Sequence, residues 1–377
     1  MFQQFTYSEQ LTFVQKIKRL DIWLILCILV LGTIGTIAMY SSDGGEFSYY
    51  TKNHIIRFMV FFLMMLVFSF VRIKFWHTLG YFFYFVVVLL LIYASLYGIT
   101  ASGSQRWINL YFVNFQPSEL MKIAVIVCFA KYYHRMQIND ANKFKNLLIP
   151  IIILIIPIFL VLIQPDLGTS ILIALSGLVV IWLSGVNIKY FIYSTLTLII
   201  SAPFVIYLLE PYQKLRILTF FNPGRDPLGA GYQIIQSKIA VGSGGLSGKG
   251  FLKGTQSYLE FLPEKHTDFI FTLFTLFSEE FGFLGSLGLL VIYSLMIYRI
   301  IWIGSLSRSF FGKLYCYGFG SAIFVYVVVN MCMVLGLVPI VGSPLPIMSY
   351  GGSSMLATMI GLSIVMSSKI YHQQLIP

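Results

Sequence analysis

The run IWLILCILVLGTIGTIAMY, residues 22–40, is almost entirely apolar and is long enough to cross a bilayer as a helix. It exceeds the length of a signal-peptide core, no small-residue cleavage motif follows it, and the basic stretch KIKRLD precedes it. We therefore expect this run to remain in the protein as a membrane anchor. Similar runs recur along nearly the whole chain, which predicts an integral membrane protein.

The composition of the whole chain supports this class. Of the 377 residues, 58% are hydrophobic and 10% are charged, and the mean hydropathy is +0.84, which excludes an ordinary soluble domain. The net charge of +11 comes from basic residues dispersed between apolar runs, so nucleic acid is not an expected partner. The four cysteines all lie inside apolar runs at unrelated spacings, which indicates packing rather than disulfides or zinc.

Ten segments are long enough to cross a bilayer. Backbone groups in lipid must be bonded internally, and none of these segments alternates as a strand does, so we expect an all-α polytopic protein. Bundled helices form one unit, which predicts a single domain over residues 1–377. The segments lie near residues 22–41, 54–72, 76–98, 117–134, 147–164, 167–184, 188–209, 268–298, 312–336 and 346–368.

The basic residues between these segments predict the orientation. With the N-terminus in the cytoplasm, most Lys and Arg residues fall on the cytoplasmic side, whereas the short outer loops hold only Lys52, Arg57 and Arg106. Both termini are then cytoplasmic. One connection, residues 210–267 between the seventh and eighth segments, is long and glycine-rich and lies on the outer face; a loop of that length is usually functional.

The motif FQPSELMK, residues 115–122, marks the outer start of a helix, with Gln116 as its cap and Pro117 in its first turn. Glu119 and Lys122 lie three residues apart on one helical face, where a carboxylate and an ammonium can pair. Ionisable groups inside a membrane are candidates for function. A structural salt bridge that holds helices together is the alternative interpretation.

Two further outer segments carry charge. In QPDLGTS, residues 164–170, Asp166 either caps the next helix or contacts a substrate. In the loop GSQRWINLYF, Arg106 lies beside Trp107 and either holds a phosphate or sugar or serves as an interfacial anchor.

The run GSGGLSGKG, residues 242–250, is not a nucleotide-binding P-loop, because Ser243 occupies the position of the first glycine and Gly250 that of the Ser/Thr. Its glycine amides, with Lys238, Lys249 and Lys253, could instead cradle a pyrophosphate. A merely flexible loop is the alternative.

Ionisable residues crowd the stretch LEFLPEKHTDFIF, residues 259–271. Asp268 either caps the following helix or, ionised near Lys265 and His266, takes a proton from a bound hydroxyl. Farther along, at least one of Glu279 and Glu280 must face a polar interior or be protonated. The Pro- and Gly-rich stretch 336–354, which contains Ser349, is typical of a re-entrant or broken helix lining a cavity.

Together these motifs resemble the SEDS family (shape, elongation, division and sporulation). The resemblance covers essentially the first to the tenth predicted helix, is most specific in the stretch 210–271, and favours the elongation, or rod-shape, type over the division and sporulation types. It implies a peptidoglycan glycosyltransferase that polymerises lipid II on the outer face of the bacterial cytoplasmic (inner) membrane.

The resemblance also implies roles for residues. Asp268 matches the essential aspartate of the family and is the expected general base. The other expected substrate-binding residues are Arg106, Glu119, Lys122, Asp166, Lys238, Lys249, Lys265, His266 and Ser349. A divalent cation, Mg²⁺ or Mn²⁺, could assist the basic residues in stabilising the leaving group.

The expected partners are a class B penicillin-binding protein that supplies transpeptidase activity, other proteins of the elongation complex, and membrane lipids. Two other functions remain open at this point. Ten helices with broken ends and buried charge also describe a secondary transporter or lipid flippase. A noncatalytic scaffold for wall-synthesis proteins is the third alternative.

Overall fold

The structure is a computed structural model that describes residues 11–101, 104–109, 114–208, 211–225, 230–254, 269–340 and 342–376. Most of these residues are helical, and in the described part seven helices are long and apolar enough to cross a membrane. A shorter apolar helix covers Leu167–Leu183, and the first part of another helix, Ile188–Ser201, is also apolar. The prediction of a largely helical protein with several membrane-spanning segments is therefore confirmed.

Each predicted segment contains a helix, and further short helices lie between them. In chain order the helices are α1 Phe13–Lys18, α2 Ile22–Ser42, α3 Tyr49–Ser69, α4 Ile73–Tyr97, α5 Pro117–Tyr133, α6 Ile138–Ala141, α7 Phe144–Ile163, α8 Leu167–Leu183, α9 Ile188–Leu208, α10 Pro211–Phe221, α11 Ala230–Ser243, α12 Phe269–Leu306, α13 Phe310–Val334 and α14 Gly352–Ile370. Helices α10 and α11 lie within the stretch that the sequence indicated as one long loop.

One segment corrects the expectation of an entirely helical chain. Between α4 and α5, the strands β1 Ile99–Ala101, β2 Ser104–Asn109 and β3 Asn114–Phe115 form a three-stranded antiparallel sheet in the order β1-β2-β3. This segment lies outside the long apolar runs, and its backbone groups pair with each other across the sheet instead of along a helix. The sheet holds Arg106 on its central strand.

Glycines let several helices approach closely. A Cβ atom on Gly32 of α2 would lie 2.2 Å from the ring of Phe58 on α3, and one on Gly361 of α14 would lie 2.2 Å from the ring of Phe319 on α13. Small residues at such crossings allow the van der Waals contacts that hold membrane helices together.

A side chain compensates for a proline inside α7. Pro157 has no N–H to bond the carbonyl of Ile153 one turn earlier. The hydroxyl of Tyr84 on α4 donates to that carbonyl at 2.7 Å. Within lipid this bond satisfies a group that would otherwise lack a partner, and it also joins α4 to α7.

The described ends of the chain meet at one end of the bundle, called here the tail end. Arg19, which follows α1, donates to the carbonyl of Ile370 at 3.4 Å. His134, at the end of α5, accepts the N–H of Phe311 on Nδ1 at 3.0 Å and donates from Nε2 to the carbonyl of Ile376 at 3.1 Å. This arrangement requires a neutral ring.

Candidate functional site

The opposite end of the bundle, called here the site end, is where α5, α8 and α14 begin. The residues between α13 and α14 enter the bundle here without forming a helix, and residues 343–349 are buried. Tyr293 donates to the carbonyl of Pro346 at 2.7 Å, and Asn330 donates to that of Ser343 at 2.6 Å. The expected break in the helix is confirmed. Both of these backbone carbonyls are bonded by protein side chains, which is what non-helical backbone inside a membrane needs.

Ser349, an expected substrate-binding residue, lies inside this buried segment. Its hydroxyl accepts the N–H of Leu345 at 2.9 Å, and its own N–H donates to the carbonyl of Leu345 at 3.1 Å. The side chain is thus part of a turn in the segment. A contact of Ser349 with substrate stays a prediction.

Asp166 connects two of the predicted outer segments. It caps α8 by accepting the N–H of Thr169 at 3.1 Å, so the predicted cap is confirmed. Its other oxygen accepts from Arg106 at 2.8 Å and from the side-chain amide of Gln116 at 3.1 Å. The carboxylate is 5% exposed, so these bonds compensate for most of its lost hydration.

Gln116 occupies the cap position of α5, as expected, but its side chain does not cap the helix. The side chain binds Asp166 instead, and the backbone N–H of Gln116 donates to the hydroxyl of Ser353 at 2.9 Å. Ser353 in turn donates to the carbonyl of Asn114 at 3.0 Å. The starts of α5, α8 and α14 and the small sheet are therefore joined by one polar network around Asp166.

One turn into α5, Glu119 and Lys122 form the predicted ion pair. Nζ of Lys122 lies 2.8 Å from Oε1 of Glu119, and the side chains are 5% and 8% exposed. The ammonium also lies 4.5 Å from the ring centroid of Tyr326 on α13. A charge pair this deeply buried depends on both partners, because either charge alone would be costly in this environment.

A second polar cluster surrounds a break in α12. Gly282 interrupts this helix with φ 66° and ψ −160°, a conformation that only glycine adopts readily. The glycine strap, residues 244–254, docks against the break. Its amides at Lys249 and Gly250 donate to the carbonyls of Glu279 and Glu280, each at 3.0 Å.

The buried acids of α12 also bond to the glycine strap. Lys249 pairs with Glu279 at 2.6 Å, and Glu280 accepts the N–H of Leu252 at 3.1 Å and the hydroxyl of Ser41 on α2. The prediction that at least one of the two acids faces a polar interior is confirmed. The expected pyrophosphate cradle is corrected, because the amides of residues 248–250 already donate to backbone carbonyls. A substrate contact of Lys249 stays a prediction.

Replacing Gly248 with alanine is expected to destabilise the protein by at least about 3 kcal/mol. Gly248 has φ +80°, and a Cβ atom there would lie 2.0 Å from the carbonyl oxygen of Glu280. That oxygen belongs to backbone and accepts from Gly250, so it cannot move without breaking the docked strap. Thermal unfolding in detergent measures the loss.

Two neighbouring glycines provide matched controls. Gly245 has φ +56° but nothing within 4 Å of its Cβ position, so alanine there should cost only the backbone strain, about 1–2 kcal/mol. Gly242 has open space and no positive φ, so alanine there should be nearly neutral. Equal effects of all three substitutions would contradict a docked strap.

Three predicted site residues, Lys265, His266 and Asp268, lie outside the described residues. The first residue of α12 is Phe269, which follows Asp268 directly in the sequence. Lys238 lies on α11 with an exposed side chain, and its Nζ would lie 2.8 Å from a Cβ atom on Gly336. The described residues contain no group of three or more His, Cys, Asp or Glu that could hold a metal ion, and a divalent cation stays a prediction.

Sequence reasoning missed two contacts of these clusters. The pairing of Arg106 with Asp166 had a usable signal, because both residues lie in segments predicted to be at the outer face. The bond between Ser41 and Glu280 had none, since the two residues are 239 positions apart and Ser41 follows an ordinary apolar run.

Comparisons with known proteins identify the family of the chain. The family model described as cell cycle protein, FtsW/RodA/SpoVE, matches residues 19–374. The chain is 40% identical to the peptidoglycan glycosyltransferase MrdB of Escherichia coli K12, over 97% of each chain. It is 33% identical to a probable peptidoglycan glycosyltransferase FtsW of Buchnera aphidicola, over 91% of each chain.

A solved structure has a similar fold. It was reported under the description "Structural coordination of polymerization and crosslinking by a peptidoglycan synthase complex" and superposes with a TM-score of 0.81 at 28% identity, over 94% of this chain and 99% of that one. The family match extends over nearly the whole chain, across the sheet, both polar clusters and the broken segment before α14. The chain therefore belongs to the FtsW/RodA/SpoVE family, which is the SEDS family that its motifs resemble.

Proposed function

We propose that this protein is a peptidoglycan glycosyltransferase that polymerises lipid II into glycan strands during cell elongation. The observation that carries the proposal is the 40% identity, over 97% of both chains, to a relative that bears this activity in its name. Two relatives named as probable peptidoglycan glycosyltransferase FtsW are less similar, at 33% and 36% identity, which supports the elongation type that the motifs favour. In the polar network at the site end, the side chain of Arg106 is 26% exposed, so its charge is accessible to a polar substrate group.

The proposed topology places the site end on the outer face of the bacterial inner membrane. Ten helices cross the membrane, residues 210–267 form the outer connection between the seventh and eighth of them, and both termini are cytoplasmic. The contact of Arg19, which follows α1, with Ile370, the last residue of α14, supports placing both termini on one side. The bias of Lys and Arg toward the loops on that side supports the orientation.

In the proposed reaction, Asp268 takes the proton from a sugar hydroxyl of the acceptor. The hydroxyl oxygen then attacks the anomeric carbon of the donor, and the bond from that carbon to the pyrophosphate breaks, so that lipid pyrophosphate leaves with the bonding electrons. Arg106, Lys238 and Lys265 would stabilise the charge that develops on the leaving group. Asp166 supports Arg106 by holding its guanidinium in place.

The proposed partner is a class B penicillin-binding protein that cross-links the new strands, together with other elongation proteins. The fold similarity to a chain from a complex described as coordinating polymerisation and cross-linking supports this proposal. The chain carries no S-x-x-K, S-x-N and K-T-G set of its own, so transpeptidase activity has to come from another protein.

Purified protein reconstituted with lipid II tests the function directly. We expect glycan polymer on a gel, with the rate increased when the penicillin-binding protein is present. Transfer of fluorescent lipid II between leaflets of proteoliposomes, without polymer, would identify a flippase instead. Absence of both activities, with and without the partner, would leave the scaffold function.

A further inference from the structure

A group of basic side chains lies at the tail end, at the opposite end of the bundle from Arg106. Arg19 contacts the carbonyl of Ile370, and the backbone N–H of Arg308 donates to the carbonyl of His372 at 2.8 Å, which brings both cations to the residues that end α14. Together with these two, the basic cluster consists of Lys16, Lys18, Arg299 and Lys369.

The centre of the basic cluster is a built arrangement. Arg299 on α12 binds Asp21 through Nε at 3.2 Å and through Nη2. The guanidinium lies 4.1 Å from the ring centroid of Trp302, and the ammonium of Lys369 lies 4.3 Å from the same ring. Two cations are thus held on one indole, which brings their charges together at the surface.

Within the described residues, Asp21 is the acidic side chain that bonds to this cluster through Arg299, and its charge also acts on Lys369. Asp21 is 3% exposed, and its carboxylate already accepts the N–H of Leu24 at 2.9 Å as the cap of α2. Burial lowers the pKa of His372, at the edge of the cluster. Three cations lower that pKa further, namely Arg19, Lys369 and Arg308. Among the described residues, the cations of the cluster therefore outnumber this one carboxylate.

Apolar side chains next to the basic cluster are more than half exposed. Ile22 and Trp23, directly after Asp21, are 58% and 62% exposed. On α1, Phe13 is 64% exposed and Val14 is 60% exposed, while Lys16 and Lys18 belong to the cluster. A short helix with apolar and basic residues at this position is typical of a segment that lies in the plane of the membrane surface.

We propose that the basic cluster is a binding site for an anionic phospholipid in the leaflet at the tail end. Its phosphate bonds to Lys369, Arg308 and Lys18, and its acyl chains lie along Ile22 and Trp23. The inference is independent of the proposed polymerase reaction, whose described groups, Arg106 and Lys238, lie at the opposite end of the bundle.

The surroundings favour a lipid over an acidic protein segment. A peptide needs only charge complementarity, whereas a lipid needs cations at the membrane surface with exposed apolar side chains directly beside them, which is the combination found here. The indole of Trp302 fixes Arg299 and Lys369 in place, so less side-chain entropy is lost when a phosphate binds.

Native mass spectrometry of the purified full-length protein tests the proposal. The protein is incubated with phosphatidylglycerol and phosphatidylcholine of identical acyl chains, and the dissociation constants are compared. We expect a preference for phosphatidylglycerol, and a loss of about twenty-five-fold in its affinity in the Lys369→Gln/Arg308→Gln variant, since each basic residue near such a surface contributes about fivefold. A second variant, Lys18→Gln/Arg308→Gln, changes only exposed side chains and replaces the first variant if that one folds poorly. Its affinity for phosphatidylglycerol should fall by a similar factor.

The control variant is Lys145→Gln/Lys189→Gln, which removes two exposed cations at the starts of α7 and α9. Its affinity for phosphatidylglycerol should stay within about twofold of the original protein, because these residues do not belong to the basic cluster. The proposal is overturned if the original protein binds both lipids equally, or if the control loses as much affinity as the cluster variants. Binding of an acidic peptide without a preference for phosphatidylglycerol would show that the surface serves a protein partner instead.

Discussion

Replacing Asp268 with asparagine is expected to slow glycan polymerisation by about a hundredfold to ten-thousandfold, the range that loss of a general base produces. Asparagine has nearly the same shape and can still cap the helix that begins at Phe269, but it cannot accept the proton of the attacking hydroxyl. The measurement is the initial rate of polymer formation from lipid II by purified protein, with and without the penicillin-binding protein.

The neighbouring acid in the same motif provides the control for this prediction. Glu264→Gln removes one negative charge four residues earlier and should leave the rate within a few-fold of the original. Thermal unfolding of the Asp268→Asn variant should match the original protein, so that a slower rate reflects chemistry, whereas Asp268→Ala should lose about 1 kcal/mol with the cap. Full polymer yield from both Asp268 variants would remove this residue from the mechanism, while polymer formation itself would still support the proposed function.

Replacing Lys122 with methionine is expected to destabilise the protein by about 3–5 kcal/mol, because the carboxylate of Glu119 would stay buried without its partner. Glu119 is 7% exposed, and Lys122 provides both its hydrogen bond and its counter-charge at 2.8 Å. Thermal unfolding in detergent measures the change. The double variant Glu119→Gln/Lys122→Met removes both charges and should regain most of the lost stability.

Activity of the double variant separates the two interpretations of this pair. If the pair only holds α5 in place, polymerisation should return together with stability. If the pair contacts the substrate, the double variant should be stable and slow. A Lys122→Met protein that unfolds at the original temperature would contradict the buried pair itself.

Features that depend on near neighbours in the chain were predicted correctly. Glu119 and Lys122 pair because a helix places residues three apart on one face, whatever surrounds it. Asp166 caps α8 because a carboxylate directly before a helix meets its unpaired first-turn amides. The break before α14 follows from the prolines and glycines of residues 336–354, which cannot continue a regular helix.

Features that depend on distant partners were not predicted. The amides of the glycine strap suggested a phosphate cradle, but the break at Gly282 leaves carbonyls of α12 that accept them first. Arg299 binds Asp21 from 278 positions away, and no pattern in either segment indicates that contact. The antiparallel sheet was missed because its three strands are short and gain their stability from pairing with one another.

By itself, then, the order of residues determined the membrane class, the starts of α2, α5, α8 and α9, and the family, because hydrophobicity, capping and motif wording act over a few neighbouring positions. Tertiary structure decided which buried charges meet: Arg106 with Asp166, Lys249 with Glu279, and Arg299 with Asp21. The physical reason is that a charge out of water must find its counterpart wherever the packed helices bring one, and helix packing is set by the whole bundle.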